Sequence, residues 1–348
     1  MRQLKIGNRI IDDSTDCFVT AEIGHNHMGR LDVAMEMVKV AKECGADAVK
    51  LQKRNNKTLF ATELLNQPYD NPNSYGATYG EHREFLEFGE SQYKELQVYA
   101  KSLDITFFAT AFDHESADFL EKLDMPLYKL ASADITNTPL LKHVAGFKKP
   151  MILSSGGATM EDVKRAYEIV SAYHSNFAIL QCTAAYPCDF EQLDLRVIET
   201  YRKQFPNILI GLSDHDNGIA MAPVAYVLGA RFIEKHFTLN RANKGTDHAF
   251  SLEPTGLRKM IRDLKRTKIA LGDGTKRQFE NEKKPLLKMA KSIFTNKAMK
   301  AGEVISEGDV AYKIPGDGIP PHRYMDVIGK KLKTNVTKEH KLSFEDLV

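Results

Sequence analysis

Short, nearly continuous runs of Val, Ile, Leu and Phe recur along most of the chain, separated by stretches with helical spacing of apolar residues. Such runs are typical of strands buried on both faces. They predict eight strands, at residues 17–23, 46–52, 105–111, 126–131, 150–155, 177–182, 207–212 and 231–237. Between the first two, Leu31, Ala34 and Val38 form the apolar face of a helix. Gly45 is expected to end that helix.

The alternation of strands and helices predicts an α/β fold with parallel strands, because a crossover helix returns the chain in the same direction. Eight such units close a (β/α)₈ TIM barrel of about 250 residues. An open doubly wound sheet is the alternative, but no Gly-x-Gly-x-x-Gly follows the first strand. The barrel is therefore favoured, and it is assigned to residues 1–271.

Two segments interrupt the alternation. Residues 53–90 follow the second strand and are too long for an ordinary turn, so we expect a binding loop at the mouth of the barrel. Residues 272–287 are polar and charged, as linkers are. Residues 288–348 carry short β-like runs and turns, which predict a small, separate, β-rich C-terminal domain.

Composition excludes several classes of protein. The 48 Lys and Arg residues nearly balance 46 Asp and Glu, which argues against a nucleic-acid binder. The longest apolar stretch, 218–230, is shorter than the roughly 20 residues of a membrane-spanning helix. The N-terminus has no apolar signal core, and the four cysteines lack CxxC spacing and are too sparse for a disulfide scaffold. We therefore expect a cytoplasmic protein with no membrane partner.

In a TIM barrel, catalytic residues collect at the C-terminal ends of the strands. All eight predicted ends carry polar or ionisable side chains. In chain order these are Glu22, Lys50, Gln52, Thr110, Lys129, Ser132, Ser154, Ser155, Gln181, Thr183, Ser213, His215, Glu234 and His236. The set predicts one active site at this end of the barrel.

His215 and His236 follow neighbouring strands and are candidate ligands of one divalent ion. The acidic residues Asp214, Asp216 and Asp247 strengthen this interpretation. Two imidazoles with oxygen ligands would suit Mn²⁺, Mg²⁺, Co²⁺ or Zn²⁺. The alternative is that each histidine is simply hydrogen-bonded or solvated.

Lys50 and Lys129 are predicted to face several hydroxyl groups, from Thr110, Ser132, Ser154 and Ser213. Cations with hydroxyl donors suit a phosphate or a phospho-carboxylate. A Schiff-base lysine is the alternative. Glu22 would act as a general acid or base, or simply pair with a lysine.

His25 and His27 raise a rival hypothesis, a metal-dependent amidohydrolase. That class also needs histidines after the fifth and sixth strands, where this chain has Ser154–Ser155 and Gln181–Cys182. The amidohydrolase hypothesis therefore lacks two metal ligands and is set aside.

Longer segments resemble a known family. They are AEIGHNHMGRLDVAMEMVKVAKECGADAVKLQK, YKLASADITNTPLL, LQCTAAYPCDFEQLDLRVI, GLSDHDNGIAMAPVAYVLGA, EKHFTLNRANKGTDHAFSLEP and, in the tail, KAGEVISEGDVAYKIPGDGIPP. In this order they resemble sialic acid (N-acetylneuraminate or nonulosonate) synthases, which have a TIM barrel and a C-terminal antifreeze-like SAF domain. The insertion TYGEHREFLEF is most similar to the animal-type branch.

The resemblance implies a transferase that condenses phosphoenolpyruvate with an N-acylated mannosamine-type sugar, N-acetylmannosamine or its 6-phosphate, and releases phosphate. It implies that His215 and His236 hold the metal, with Mn²⁺ expected and Mg²⁺ or Co²⁺ as alternatives, and that Glu22 is the acid or base. The residues implied for phosphoenolpyruvate are Lys50, Thr110, Lys129, Ser132, Ser154 and Ser213, and those for the sugar are Gln52, Asp134, Tyr186 and Asp247. A domain-swapped homodimer is also implied.

Two positions depart from the family pattern and leave the sugar open. Ile314 stands where bacterial members often carry a tail arginine, and Ala184 replaces a residue that is polar in some members. Legionaminate or pseudaminate synthesis is therefore kept as one alternative. A related enzyme, a 3-deoxy-ulosonate-phosphate synthase acting on a phosphorylated aldose, is a second. A non-enzymatic, antifreeze-like binding protein is a third, although the lysine-rich tail does not suit ice binding.

Overall fold

The computed structural model describes residues 2–348, which form two compact units that divide between Gly272 and Asp273. The strands are β1 Gln3–Ile6, β2 Arg9–Asp12, β3 Phe18–Gly24, β4 Ala48–Lys53, β5 Thr106–Ala111, β6 Tyr128–Leu130, β7 Met151–Ser154, β8 Phe177–Cys182, β9 Leu209–Asp214, β10 Phe232–His236, β11 Ser292–Thr295 and β12 Val310–Lys313. The helices are α1 Leu31–Glu43, α2 Asn56–Leu59, α3 Thr62–Leu65, α4 Tyr79–Leu86, α5 Glu90–Ser102, α6 His114–Lys122, α7 Thr138–Gly146, α8 Met160–Ser171, α9 Val197–Gln204, α10 Met221–Val227, α11 Pro254–Leu271 and α12 Lys283–Met289.

Strands β3 to β10 form a closed barrel in which every neighbouring pair is parallel, and β10 pairs with β3 to complete it. The predicted TIM barrel is confirmed, and closure excludes the open doubly wound sheet. The strands are continuous apolar runs because their outward side chains pack under the helices, as Val19, Ala21 and Ile23 of β3 do. Gly45 follows α1 with φ +93°, the left-handed conformation expected after a helix end.

An N-terminal hairpin, β1 paired antiparallel with β2, was not predicted from the sequence. Its side chains Leu4, Ile6 and Ile11 join the apolar cluster inside the barrel, together with Phe18 and Phe232 at the starts of their strands. The hairpin therefore closes the N-terminal end of the barrel and leaves the opposite end for the active site. The pattern missed it because each strand has only four residues, of which β1 buries two and β2 only one.

The insertion after β4 is ordered, with the short helices α2, α3 and α4. Helix α4 begins at a capping box, in which the Thr78 side chain accepts from Glu81 N and the Glu81 carboxylate accepts from Thr78 N. Such a box fixes the start of a short helix and hence the direction of its side chains.

The second unit begins at Asp273 and has its own core, which includes Ile293, Ile305 and Leu342. Its strands β11 and β12 form an antiparallel pair. Residues 273–287, expected to be a linker, group with this unit and include the start of α12. In residues 2–348, no helix has both the length and the apolar character that crossing a bilayer requires.

Candidate active site

The twofold alternation of strand side chains decides which residues reach the interior. On β10, Glu234 and His236 line the cavity, whereas Lys235 between them does not. Lys235 Nζ instead lies 2.8 Å from Asp214 Oδ2 and pairs with Asp216, in a fully buried cluster outside the cavity. The expectation that Asp214 and Asp216 would support a metal at the histidines is therefore wrong, because both carboxylates are taken up by Lys235.

A polar cavity of about 350 Å³ lies at the C-terminal ends of the strands. Of the strand-end residues, Ser155, Gln181 and Thr183 do not line it. Every residue that the resemblance implies for catalysis or substrate binding lines it except Asp134. The lining includes Glu22, Lys50, Gln52, Thr110, Lys129, Ser132, Ser154, Tyr186, Ser213, His215, His236 and Asp247. Asp134 lies outside it, in a 3₁₀ turn, where its Oδ1 accepts a hydrogen bond of 3.2 Å from Asn137. The structure does not bring Asp134 to the assembled site.

Two lysines and two carboxylates form a buried cluster in the cavity, called here the lysine–carboxylate cluster (Glu22, Lys50, Lys129 and Glu234). Lys50 Nζ lies 2.6 Å from Glu22 Oε2 and donates to Thr110 Oγ1 at 2.7 Å. Lys129 Nζ lies 2.8 Å from Glu234 Oε1, and Ser213 Oγ donates to the same oxygen at 3.2 Å. Both ammonium groups therefore already face a carboxylate, and Glu22 is an ion-pair partner inside the site.

The two carboxylates of this cluster differ in their proton affinity. Burial raises the pKa of Glu22, although Lys50 opposes the shift. Burial acts in the same sense on Glu234, but Lys129 and Lys50 outweigh it and lower the pKa of Glu234 to about 2. Neighbouring carboxylates with separated pKa values take different roles in acid–base sites. Glu234 is a fixed anion, and Glu22 is the group suited to carry a proton.

The two histidines present neutral imidazoles side by side, with ring centroids 5.4 Å apart. His215 Nδ1 donates to the Thr183 carbonyl at 2.8 Å, which leaves the Nε2 lone pair free. His236 Nδ1 is buried without a hydrogen-bond partner in residues 2–348 and lies 3.7 Å from Asp247 Oδ2. Burial lowers the pKa of His215 to about 3 and that of His236 to about 4. Both rings can therefore ligate a metal at neutral pH.

This donor set fits a divalent ion with an open coordination sphere. In the part of the chain that the structure describes, no cluster of three or more His, Cys, Asp or Glu side chains is arranged to enclose an ion. The protein would supply the His215 and His236 nitrogens and leave the remaining positions to substrate and water oxygens, as catalytic metal sites do.

The sugar side of the cavity contains predicted and unpredicted residues. Gln52 Nε2 donates to Glu22 Oε1 at 2.8 Å, and the Tyr186 ring centroid lies 4.2 Å from that of His215. Arg54 and Arg83 also line the cavity and were not predicted. Arg54 could have been predicted at the cavity, because it follows Lys50 and Gln52 at the same two-residue interval. Arg83 lies in the insertion, where no strand periodicity indicates which side chains face the cavity.

A closed (β/α)₈ barrel with ionisable side chains gathered in a cavity at the C-terminal ends of its strands is the architecture of a barrel enzyme. The chain belongs to the NeuB family, whose family model matches residues 37–276. It is 40% identical over 333 residues to N-acetylneuraminate-9-phosphate synthase of Homo sapiens, covering 95% of this chain and 92% of that protein. It is 35% identical to N,N'-diacetyllegionaminic acid synthase of Campylobacter jejuni, covering 93% and 98%. The predicted sialic acid synthase resemblance is confirmed.

Solved structures agree with this assignment. The N-acetylneuraminic acid synthetase of Leptospira borgpetersenii, solved with citrate, superposes with a TM-score of 0.72 at 30% identity, over 82% of this chain and 95% of that one. A truncated 3-deoxy-D-arabino-heptulosonate 7-phosphate synthase from Thermotoga maritima shares only the fold, at 14% identity and a TM-score of 0.60. The 3-deoxy-ulosonate alternative is therefore not favoured.

Proposed function

We propose that this enzyme condenses phosphoenolpyruvate with the open-chain aldehyde of an N-acylated mannosamine-type sugar, giving a nonulosonate and inorganic phosphate. The observation that carries the proposal is the convergence, in one cavity, of the lysine–carboxylate cluster and a pair of neutral histidines. The synthase names of the relatives support it.

Phosphoenolpyruvate would bind at Lys50 and Lys129 with the hydroxyls of Thr110, Ser132, Ser154 and Ser213. Ser154 supports this placement, since its buried Oγ has no hydrogen-bond partner in residues 2–348. A buried hydroxyl without a partner is costly unless a ligand supplies one. Because Glu22 and Glu234 already neutralise the two lysines, the site binds the anion through several oriented donors rather than through excess positive charge.

His215 and His236 would hold the divalent ion, with Mn²⁺ expected and Mg²⁺ or Co²⁺ as alternatives. When bound, such an ion supplies a Lewis acid that polarises the aldehyde oxygen. Burial keeps both imidazoles neutral, and the Thr183 carbonyl fixes the His215 tautomer.

In the proposed reaction, C3 of phosphoenolpyruvate attacks the aldehyde carbon and forms the new C–C bond, and the aldehyde oxygen gains a proton. Water adds at C2 and gives up a proton. The bond between C2 and the phosphate oxygen then breaks, the C2 hydroxyl loses its proton as the ketone forms, and the departing phosphate takes that proton up. We assign the proton transfer at the aldehyde oxygen to Glu22, which Gln52 and Lys50 hold in place.

A substrate panel tests this function. With Mn²⁺ and phosphoenolpyruvate, N-acetylmannosamine or its 6-phosphate should cause release of one phosphate per nonulosonate formed. Release with arabinose 5-phosphate or erythrose 4-phosphate alone would favour the 3-deoxy-ulosonate alternative. Absence of release with every mannosamine-type, legionaminate-precursor and pseudaminate-precursor sugar would contradict the proposal.

The proposal extends to the second unit and to assembly. We propose that residues 288–348 are the SAF domain, and that the protein is a domain-swapped homodimer acting in the cytoplasm. Light scattering of the full chain after size-exclusion chromatography should give twice the 39.2 kDa chain mass. A monomer at enzymatically active concentrations would contradict the dimer.

A further inference from the structure

The cavity contains a second group of cations that the proposed roles do not use, the arginine pair (Arg54 and Arg83). Arg54 directly follows β4 and is only 8% exposed. Its Nη2 donates to Gln52 Oε1 at 2.8 Å, and its guanidinium carbon lies 3.7 Å from the centroid of the Phe112 ring. Its Nη1 lies 3.3 Å from His25 Nε2. These neutral partners orient the Arg54 guanidinium without neutralising it.

Arg83 reaches the same cavity from helix α4 of the insertion. Its Nε donates to the Tyr79 hydroxyl at 2.8 Å, and its guanidinium carbon lies 4.9 Å from the centroid of the Tyr79 ring. Within residues 2–348, Nη1 and Nη2 of Arg83 make no hydrogen bond, so both terminal groups are free to donate. The capping box at the start of α4 fixes the helix that carries Arg83.

In the described range, 2–348, no carboxylate oxygen lies within 4.0 Å of a guanidinium nitrogen of Arg54 or Arg83. The backbone N–H of Arg54 donates to Glu87 Oε2 at 3.3 Å. The nearby Glu87 is paired with Lys53 at 3.0 Å and lies 3.6 Å from His25. Burial, with the like charge of Arg83, lowers the pKa of Arg54 to about 10, so Arg54 is still cationic at neutral pH.

The arginine pair differs from the lysine–carboxylate cluster, in which each ammonium group has a carboxylate partner. Two guanidinium groups that lie in one cavity without a direct ion-pair partner are costly unless a ligand supplies negative charge beside them. Guanidinium groups with free N–H donors match the oxygens of a phosphomonoester. The arginine pair therefore has the charge and the free donors that an anion-binding site requires.

The position of this anion site follows from the register of β4. Lys50, Gln52 and Arg54 line the cavity at intervals of two residues. An extended chain advances about 3.3 Å per residue, which puts Arg54 about 13 Å beyond Lys50. Gln52, the predicted sugar contact, lies between them and hydrogen-bonds to both Glu22 and Arg54. An acceptor sugar whose aldehyde lies at the lysine–carboxylate cluster would thus extend its far end toward the arginine pair.

We propose that Arg54 and Arg83 bind the phosphate of a sugar phosphomonoester, so that the acceptor is the phosphorylated N-acylmannosamine rather than the free sugar. This inference rests on the proposed function and names the substrate class within it.

The test compares N-acetylmannosamine with its 6-phosphate as acceptor, at saturating phosphoenolpyruvate and Mn²⁺. The wild type should have a kcat/KM at least about 100-fold higher for the phosphorylated sugar, as expected for charge-assisted hydrogen bonds from two arginines. Arg83→Gln should raise KM for the phosphorylated sugar about 10- to 100-fold, a much larger loss than any on the free sugar or on KM for phosphoenolpyruvate. Arg83→Lys should fall between the two, and the exposed control Arg196→Gln should match the wild type.

Arg54→Lys provides a second variant if Arg83→Gln fails to fold. Lysine keeps the positive charge but lacks the paired N–H donors of a guanidinium group, so KM for the phosphorylated sugar should rise selectively. Equal use of both sugars by the wild type, or an equal loss on both in these variants, would overturn the proposed phosphate site while the synthase function stands. Failure of the wild type to release phosphate with either sugar would instead count against the proposed function itself.

Discussion

Glu234, Lys235 and His236 are consecutive in β10, yet only the first and third line the cavity. Lys235 points away and holds Asp214 and Asp216 outside it. Because side chains alternate along the strand, Glu234 and His236 face the cavity, and the buried ion pairs of Lys235 lie outside it. This alternation explains why the sequence pattern correctly predicted His215 and His236 at the cavity but wrongly predicted Asp214 and Asp216 beside them.

At the residue scale, Lys129→Met tests the anion site. The change removes one donor and leaves Glu234 without its partner at 2.8 Å, a carboxylate that would then repel an incoming phosphate. We expect KM for phosphoenolpyruvate to rise at least about 10-fold, the loss of a charge-assisted hydrogen bond. Steady-state kinetics measure it, with the exposed Lys142→Met as the control. An unchanged KM would contradict the placement of phosphoenolpyruvate beside Lys129.

His236→Ala tests the metal site. Loss of one of two nitrogen ligands should weaken Mn²⁺ binding and lower turnover by at least about 100-fold, with little effect on folding. Because the pKa values of His215 and His236 lie near 3 and 4, Mn²⁺ affinity should also vary little between pH 6 and 8. Calorimetric titration with Mn²⁺ checks both, with the exposed His114→Ala as control. Full activity of the variant in excess chelator would exclude a catalytic metal.

At the element scale, the eight barrel strands were predictable and the hairpin was not. Barrel strands such as β8, buried at every position, give unbroken apolar runs. Strands β1 and β2 do not, because half their residues face solvent. The orientation of α4, which brings Arg83 to the cavity, depends on tertiary contacts of the insertion and leaves no periodic signal.

The hairpin should nevertheless carry substantial stability. Leu4 is fully buried in the apolar cluster inside the barrel, so Leu4→Ala should lower the free energy of unfolding by about 2–5 kcal/mol. Ile10 on the opposite face of β2 is 50% exposed, and Ile10→Ala should change it by less than about 0.5 kcal/mol. Urea denaturation measures both. Equal, small effects would show that the hairpin does not close the barrel.

At the scale of the whole molecule, resemblance over nearly the entire chain identified the family, and the strand order identified the barrel. The ion pairs of the cavity could not be predicted, because they depend on distances between strands that are far apart in the sequence. Lys129 and Glu234 are 105 residues apart and lie 2.8 Å from each other. From composition alone, Glu22 as a general acid or base and Glu22 as an ion-pair partner are equal alternatives. The structure shows the ion pair with Lys50 at 2.6 Å, and the acid–base role stays a proposal.

Buried histidines should make the stability of the whole protein depend on pH. Seven histidines have a lowered pKa, chiefly through burial, and for His27 and His215 it falls to about 3. An unfolded histidine titrates near 6.5, so below that pH the unfolded state takes up protons that the folded state does not. Stability is complete above about pH 6.5 and is lost as the pH falls toward the folded-state values.

Three carboxyls with a raised pKa, including Asp214 at about 6, act in the opposite sense but are fewer. The free energy of unfolding should therefore decrease as the pH is lowered from 7 to 5, by about 1.4 kcal/mol per pH unit for each net proton taken up on unfolding, and the urea midpoint should decrease with it. A midpoint that rises over this interval would show that these histidines are protonated in the folded protein.

Phosphoenolpyruvate labelled with heavy oxygen at the bridge between C2 and phosphorus tests the central claim most directly. With N-acetylmannosamine or its 6-phosphate and Mn²⁺, the account predicts that the released phosphate carries the label, that release requires the sugar, and that a nonulosonate forms in equal amount. Unlabelled phosphate, or release that proceeds without sugar, would contradict it.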